Sequence, residues 1–460
     1  MTIGTKKRLA AMMLSAVLLF VSACGNGGNG GNGGGNSGSD GNSGSANSAG
    51  GNGAANADSE GTNAGASAKD PVTLRILGSS GFTEDIVKSI APGLEAKGIK
   101  LETEYYDWVT YDGKQKLAMT SQGGDYDLVF LPGNYTVLWA NSKAALPMDD
   151  FFSKYGYDEN DYYESVKSYG KVDGKWYMAP FSAEAMVYFY RKDLYDAAGL
   201  QPPKTMDDMY ETAKKLTKDG VYGIAYPGGP DEGSSSFWSY FFWSHGGKYY
   251  DDAMKPLLNT PEAVQSAELF AKILKDAAPK GVATWQNEET VAAFNSGSVA
   301  ATIMWPGYLS SFTDKTKSKI YDKFAVAPVP VGPSGKAVPR FGAWGIAVTS
   351  NVKNKDAAYE FIHEFTKPET MKEIAKQTST ASKSVNADPE LRKLNPTLGA
   401  SADVLDTAQE RPSFAESAQI NTQVGNAINS IVAGKPAQAT LDALQKTVEG
   451  ILKDAGYYDK

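Results

Sequence analysis

The sequence predicts an α/β protein organised around a parallel sheet, and two observations carry that expectation. From Val72 to Leu131 the pattern runs strand, helix, strand, helix, strand. The last of these strands, Asp127-Leu-Val-Phe-Leu131, is short and apolar enough to be covered on both faces. In such sheets the ligand crevice lies beyond the carboxyl ends of the strands. The loops at those ends are residues 78–82 and 132–136.

The elements follow in order. Val72-Thr-Leu-Arg-Ile-Leu77 alternates as a strand does, and Gly78-Ser-Ser-Gly81 turns the chain. Thr83 is placed to cap a helix reaching Leu94, with Glu84 and Asp85 in its first turn. Ile99 to Tyr105 is the second strand, and a helix around 114–120 follows it. Segments 192–198, 206–218, 261–275 and 288–296 have amphipathic helical spacing. Gly199 suits a C-cap and Thr205 an N-cap. Residues 300–304, 324–329 and 345–348 read as strands. Helices close the chain at 355–366, 368–376, 417–432 and 436–455.

Composition removes several classes of function. The chain has 460 residues, with one Cys and two His, His245 and His363. A single Cys excludes an intrachain disulfide, an iron–sulfur cluster and a zinc ribbon. Two His exclude a multi-His metal site and argue against a His-based triad. The formal charge of −8 argues against nucleic acid as a partner, because phosphate contacts need clustered Lys and Arg. Neither a P-loop nor a GxSxG motif is present. Asp158-Glu-Asn-Asp161 shares only acidity with a calcium loop. No cofactor and no metal are therefore expected.

The N-terminus concerns address. Lys6, Lys7 and Arg8 precede a short apolar run from Leu9 to Val21, which is too short to span a bilayer comfortably. It ends Val21-Ser-Ala-Cys24-Gly25, which resembles a bacterial lipobox. The resemblance implies cleavage after residue 23 and a diacylglycerol on Cys24. An ordinary signal peptide with an incidental Cys is the alternative. Residues 24–69 are then the lipidated Cys and a Gly/Asn/Ser tether, too poor in apolar side chains to offset chain entropy by burial. No later run is long and apolar enough for a span.

A wider resemblance rests on Gly174-Lys-Trp-Tyr-Met-Ala-Pro180-Phe-Ser-Ala-Glu184, then Tyr190-Arg-Lys-Asp193-Leu, Ala198-Gly-Leu and Pro202-Pro-Lys-Thr205. Ala293-Phe-Asn-Ser-Gly297, Phe324-Ala-Val-Ala-Pro328-Val-Pro330 and Gly342-Ala-Trp-Gly-Ile346 extend it. Together they resemble the extracellular solute-binding proteins of carbohydrate ABC importers, the superfamily of the maltose-binding protein. The resemblance implies a periplasmic-binding-protein-like fold of two α/β lobes, with a hinge and an interlobe ligand cleft. The chain should cross between lobes near 178–182, 327–330 and 382–389. Lobe 1 is then 70–179 plus 331–383, and lobe 2 is 180–330 plus 384–460. It further implies a monomer, held by its lipid on the extracellular face of the bacterial membrane. That monomer captures a carbohydrate, expected to be an oligosaccharide, and delivers it to permease subunits without catalysis. A surface glycoside hydrolase, an adhesin and a binder of another solute are the alternatives.

A sugar site needs flat rings for C–H faces and charged or amide groups for hydroxyls. Glu184 matches an acidic ligand contact of the family. Asn134 and Tyr135 follow the third strand, and Ser79 and Ser80 lie in the first crevice loop. Phe237 or Trp238, from the densest aromatic cluster, is expected to reach the cleft. Trp305 follows a strand end directly, and Trp344 is flanked by small residues that permit close approach. Arg411 precedes the last helices, where the family often places a ligand-binding aromatic or Arg. Trp108, Trp139, Trp176 and Trp285 are read as core or surface residues.

Overall fold

The computed structural model describes residues 71–458, apart from 403 and 406. The expected signal peptide, Cys24 and the expected tether lie outside the described residues.

The first sheet has five strands in the order β2-β1-β3-β10-β6. They are β1 (Val72–Ser79), β2 (Ile99–Tyr106), β3 (Leu128–Pro132), β6 (Ala179–Ala185) and β10 (Phe341–Val348). A small hairpin of β4 (Lys171–Val172) and β5 (Lys175–Trp176) lies between β3 and β6 in the chain. Strands β1, β2 and β3 are parallel, as the alternating pattern requires. Strand β10 runs antiparallel to both β3 and β6. A second sheet of three strands has the order β8-β7-β9, from β7 (Val187–Arg191), β8 (Ala301–Met304) and β9 (Phe324–Pro328).

Most local readings hold, and the differences have physical causes. The first helix, Phe82–Glu95, is capped by Gly81 at φ 127° rather than by Thr83. The chain turns earlier than expected, so the Thr83 hydroxyl instead donates back to the Ser79 carbonyl at 2.8 Å. The second helix starts at Trp108, where the Asp107 carboxylate accepts from the Thr110 N–H. At Met206–Leu216 the expected Thr205 cap forms, as a reciprocal box with Asp208. Strand β10 begins four residues before the expected 345, because pairing on both sides overrides the weak strand propensity of Phe341-Gly-Ala-Trp.

Each sheet has its own core. The first contains Leu74, Phe130, Phe181, Ile346 and Phe365. The second contains Phe189, Trp238, Phe270, Ile303 and Val424. Allegiance changes between Ala185 and Met186, again between Val338 and Phe341, and again between Leu398 and Ile420, a stretch in which Ala400 packs with the second core and Leu405 with the first. The first change falls at the junction of β6 and β7, just beyond the segment 178–182. The other two fall beyond 327–330 and 382–389. The connecting segments lie side by side. Met186 N–H donates to the Arg340 carbonyl at 3.2 Å, and Phe341 N–H to the Gln409 carbonyl at 2.7 Å.

Candidate functional site

The parallel strands β1 and β3 deliver their carboxyl ends to one edge of the first sheet. The start of β10 and the end of β6 lie at that same edge, where Trp344 pairs with Pro132 and Gly342 with Glu184. In the second sheet β8 ends at Met304 beside Val187, so Trp305 is the first residue past the strand. The two edges meet at Gly307, whose N–H donates to Glu184 at 3.2 Å.

Trp305 is half-buried against this junction. A Cβ on Gly342 would lie 3.2 Å from its ring, so the glycine lets the indole approach the β10 backbone closely. The Arg340 guanidinium stands 5.4 Å from the ring centroid, within cation–π range. Trp344 is also half-buried, and it meets the edge of Trp108 at 5.8 Å and tilts on Tyr111 at 5.7 Å. Trp108, read from the sequence as core or surface, thus belongs to this aromatic group. Ser79 is half-buried and Ser80 exposed at the end of β1. Asn134 is half-buried, and its carbonyl accepts from the Ser413 hydroxyl at 3.0 Å. That bond ties the loop after β3 to the segment before helix Ser417–Val432.

Five expected residues, Arg411 among them, sit differently from the sequence reading. Trp238 is fully buried, stacked on Phe242 at 4.6 Å, and its indole N–H donates to Ser266 at 2.9 Å. Phe237 is 1% exposed in the same core. Neither ring reaches the cleft, because helix Glu232–Ser244 is covered on several sides by helices of the second lobe. Tyr135 turns inward, and its hydroxyl donates to Asp112 at 2.7 Å. Glu184 is 8% exposed rather than open to the cleft, and accepts from Thr378 Oγ1 as well as from Gly307. Burial pushes its carboxyl above the ordinary value, and these two hydrogen bonds oppose the shift.

Arg411 is buried, and its guanidinium donates to Ser235 in the first turn of helix Glu232–Ser244. Two neighbours were missed by sequence reasoning. Arg340 donates through Nε and Nη2 to Glu410, at 3.0 and 3.1 Å, and through Nη1 to Ser236. The signal available was an adjacent opposite-charge pair, Glu410-Arg411 before Pro412, and an Arg directly ahead of a glycine-bearing strand. Among the described residues no group of three or more His, Cys, Asp or Glu is placed to hold a metal. No described helix is long and apolar enough to cross a membrane.

Two α/β lobes, each with its own core and joined by adjacent crossing segments, define a two-lobed binding-protein fold. A family model for bacterial extracellular solute-binding proteins matches residues 80–372, and the chain belongs to that family. A probable amino-acid ABC transporter periplasmic-binding protein of Sinorhizobium fredii is 26% identical over 409 residues, 84% of this chain and 90% of that protein. The mannitol-binding protein of Pseudomonas aeruginosa is 29% identical over 53% of this chain and 56% of its own length. Among solved structures, an ABC transporter solute-binding protein of Agrobacterium vitis with bound D-mannitol is 26% identical. It covers 84% of this chain and 100% of its own, with a TM-score of 0.76. A maltose-bound protein of Thermotoga maritima, 21% identical with a TM-score of 0.76, covers 83% of this chain and 100% of its own and shares the fold. The family and these neighbours are binding proteins.

Proposed function

We propose that this protein captures a sugar or polyol outside the cell and delivers it to the permease of an ABC importer. The observation that carries the reading is Trp305, a partly exposed indole just past a strand end of the second sheet, set against Gly342 of β10 in the first. A ring there suits the C–H face of a hydroxylated ligand, while Ser80 and Asn134 offer partners for hydroxyls. The D-mannitol-bound neighbour and the mannitol-binding relative support polyols as well as sugars. Trp344 extends the wall on the first lobe.

The lobes are proposed as 71–185 with 341–408, and 186–340 with 409–458, closing about the crossing segments. Only a ligand that contacts both would favour the closed form. Binding is proposed to be the whole of the chemistry. Glu184 commits both oxygens to Thr378 and Gly307, which suits it poorly to a glycosidase carboxylate pair. Cys24 is proposed to carry the lipid that holds the protein, as a monomer, at the membrane.

A thermal-shift panel of hexitols, pentitols, mono- and oligosaccharides and amino acids tests the reading. A true ligand at about 100 times its Kd adds about 2.7 kcal/mol of stability. The proposal fails if no sugar or polyol shifts melting, if only amino acids do, or if reducing ends accumulate over hours.

A further inference from the structure

Three charged groups meet where the crossing segments reach helix Glu232–Ser244. Arg340 and Arg411 are 8% and 5% exposed. Between them lies the Glu410 carboxylate, its side chain 9% exposed. It accepts from Arg340 Nε and Nη2 and stands 3.5 Å from Arg411 Nε. Nη1 of Arg411 and Nη1 of Arg340 reach Ser235 and Ser236 in the first turn of the helix. In that turn Ser234 Oγ is buried with no hydrogen-bond partner. Two guanidiniums and a helix N-terminus make an anion site, and here the protein supplies the anion itself. The cluster borders the cleft, because Arg340 also faces the ring of Trp305.

We propose that Glu410 is a charge filter: it fills the carboxylate position between Arg340 and Arg411, so the cleft takes neutral polyols or sugars and rejects anionic ones. This rests on the capture reading and names the ligand class. A sugar acid or phosphorylated polyol would need one of these cations, and each is already committed. A ligand anion could be held there only by displacing the Glu410 carboxylate from the two guanidiniums it already occupies. The filter weakens when Glu410 is neutral. Burial pushes its carboxyl up to about 7, against the pull of Arg411. The charged groups beside it are Arg340, from the segment before β10, and Arg411, from its own segment; Ser236, Ser235 and Tyr250 act on these two arginines.

The test compares ligand pairs that differ by one acid group, D-glucitol with D-gluconate and maltose with maltobionate, by calorimetry on the full chain. At about pH 8 the wild type is expected to bind the acid of a pair at least about tenfold more weakly than its neutral partner. Glu410→Gln should bind the acid at least about tenfold more tightly than wild type does. In the wild type, lowering the pH to about 6 should narrow the gap, and in the variant it should not. Equal wild-type affinity for acid and neutral partner at about pH 8 overturns the filter, as does a folded variant that gains no acid binding. If the variant fails to fold, Glu410→Asp, which keeps the charge but shortens its reach, takes its place, and a folded variant of either kind that gains no acid binding overturns the proposal. If wild type binds none of the neutral probes, the capture reading falls on its own. The variant's gain or lack of gain for the acids still decides the filter.

Discussion

Replacing Trp305 with alanine separates a ligand wall from a structural ring. The indole is half-buried, so part of one surface is open to a ligand. A sugar face covering about 50–60 Å² of it, at about 25 cal/mol per Å², contributes about 1.3–1.5 kcal/mol. Loss of the Arg340 contact at 5.4 Å also frees the guanidinium to shift, at a cost of about 0.5–1 kcal/mol. The sum, about 2 kcal/mol, is a Kd about thirtyfold higher. Because the ring is not sealed in a core, the fold should lose less than the roughly 3–5 kcal/mol typical of a buried aromatic. Titration calorimetry with whichever ligand the panel identifies, beside a denaturant melt, reads both quantities. A Kd within about threefold of wild type, in a folded variant, would refute the wall assignment.

Other expectations follow from the same structure. Trp238→Ala should do the reverse of Trp305→Ala. It should cost about 3–5 kcal/mol of stability, measured by denaturant melts, while the folded fraction keeps its ligand affinity. Burial raises the Glu184 carboxyl, and its hydrogen-bond donors Thr378 and Gly307 are neutral. Its neutral form is therefore favoured by folding, and this contribution is complete below the ordinary carboxylate range and lost as pH rises through the raised value. Melting temperatures of wild type and Glu184→Gln should thus diverge in favour of the variant as pH rises. Parallel curves across the range would count against it. Cys24→Ser should move the protein from the membrane fraction to the medium, and fractionation of expressing cells with no such shift would exclude the lipid anchor.

The sequence determined the local structure. Apolar alternation and cap residues are read by neighbours a few positions away, so the parallel start of the first sheet, the box at Thr205 and the C-terminal helices were legible. The order of short family segments revealed the two-lobed fold, although no single segment did. The site was only partly legible. Trp305 lies at the expected edge because a strand end fixes it locally. Phe237 and Trp238 do not, since every face of an aromatic-rich helix looks equally able to meet a ligand until its partners are known. The Arg340–Glu410 pairing joins residues seventy positions apart, and Glu184 meets Gly307 across 123. Which side chains a chain reversal brings together at such separations depends on how both cores close. Local pattern carries no record of that, and only the tertiary structure decided it.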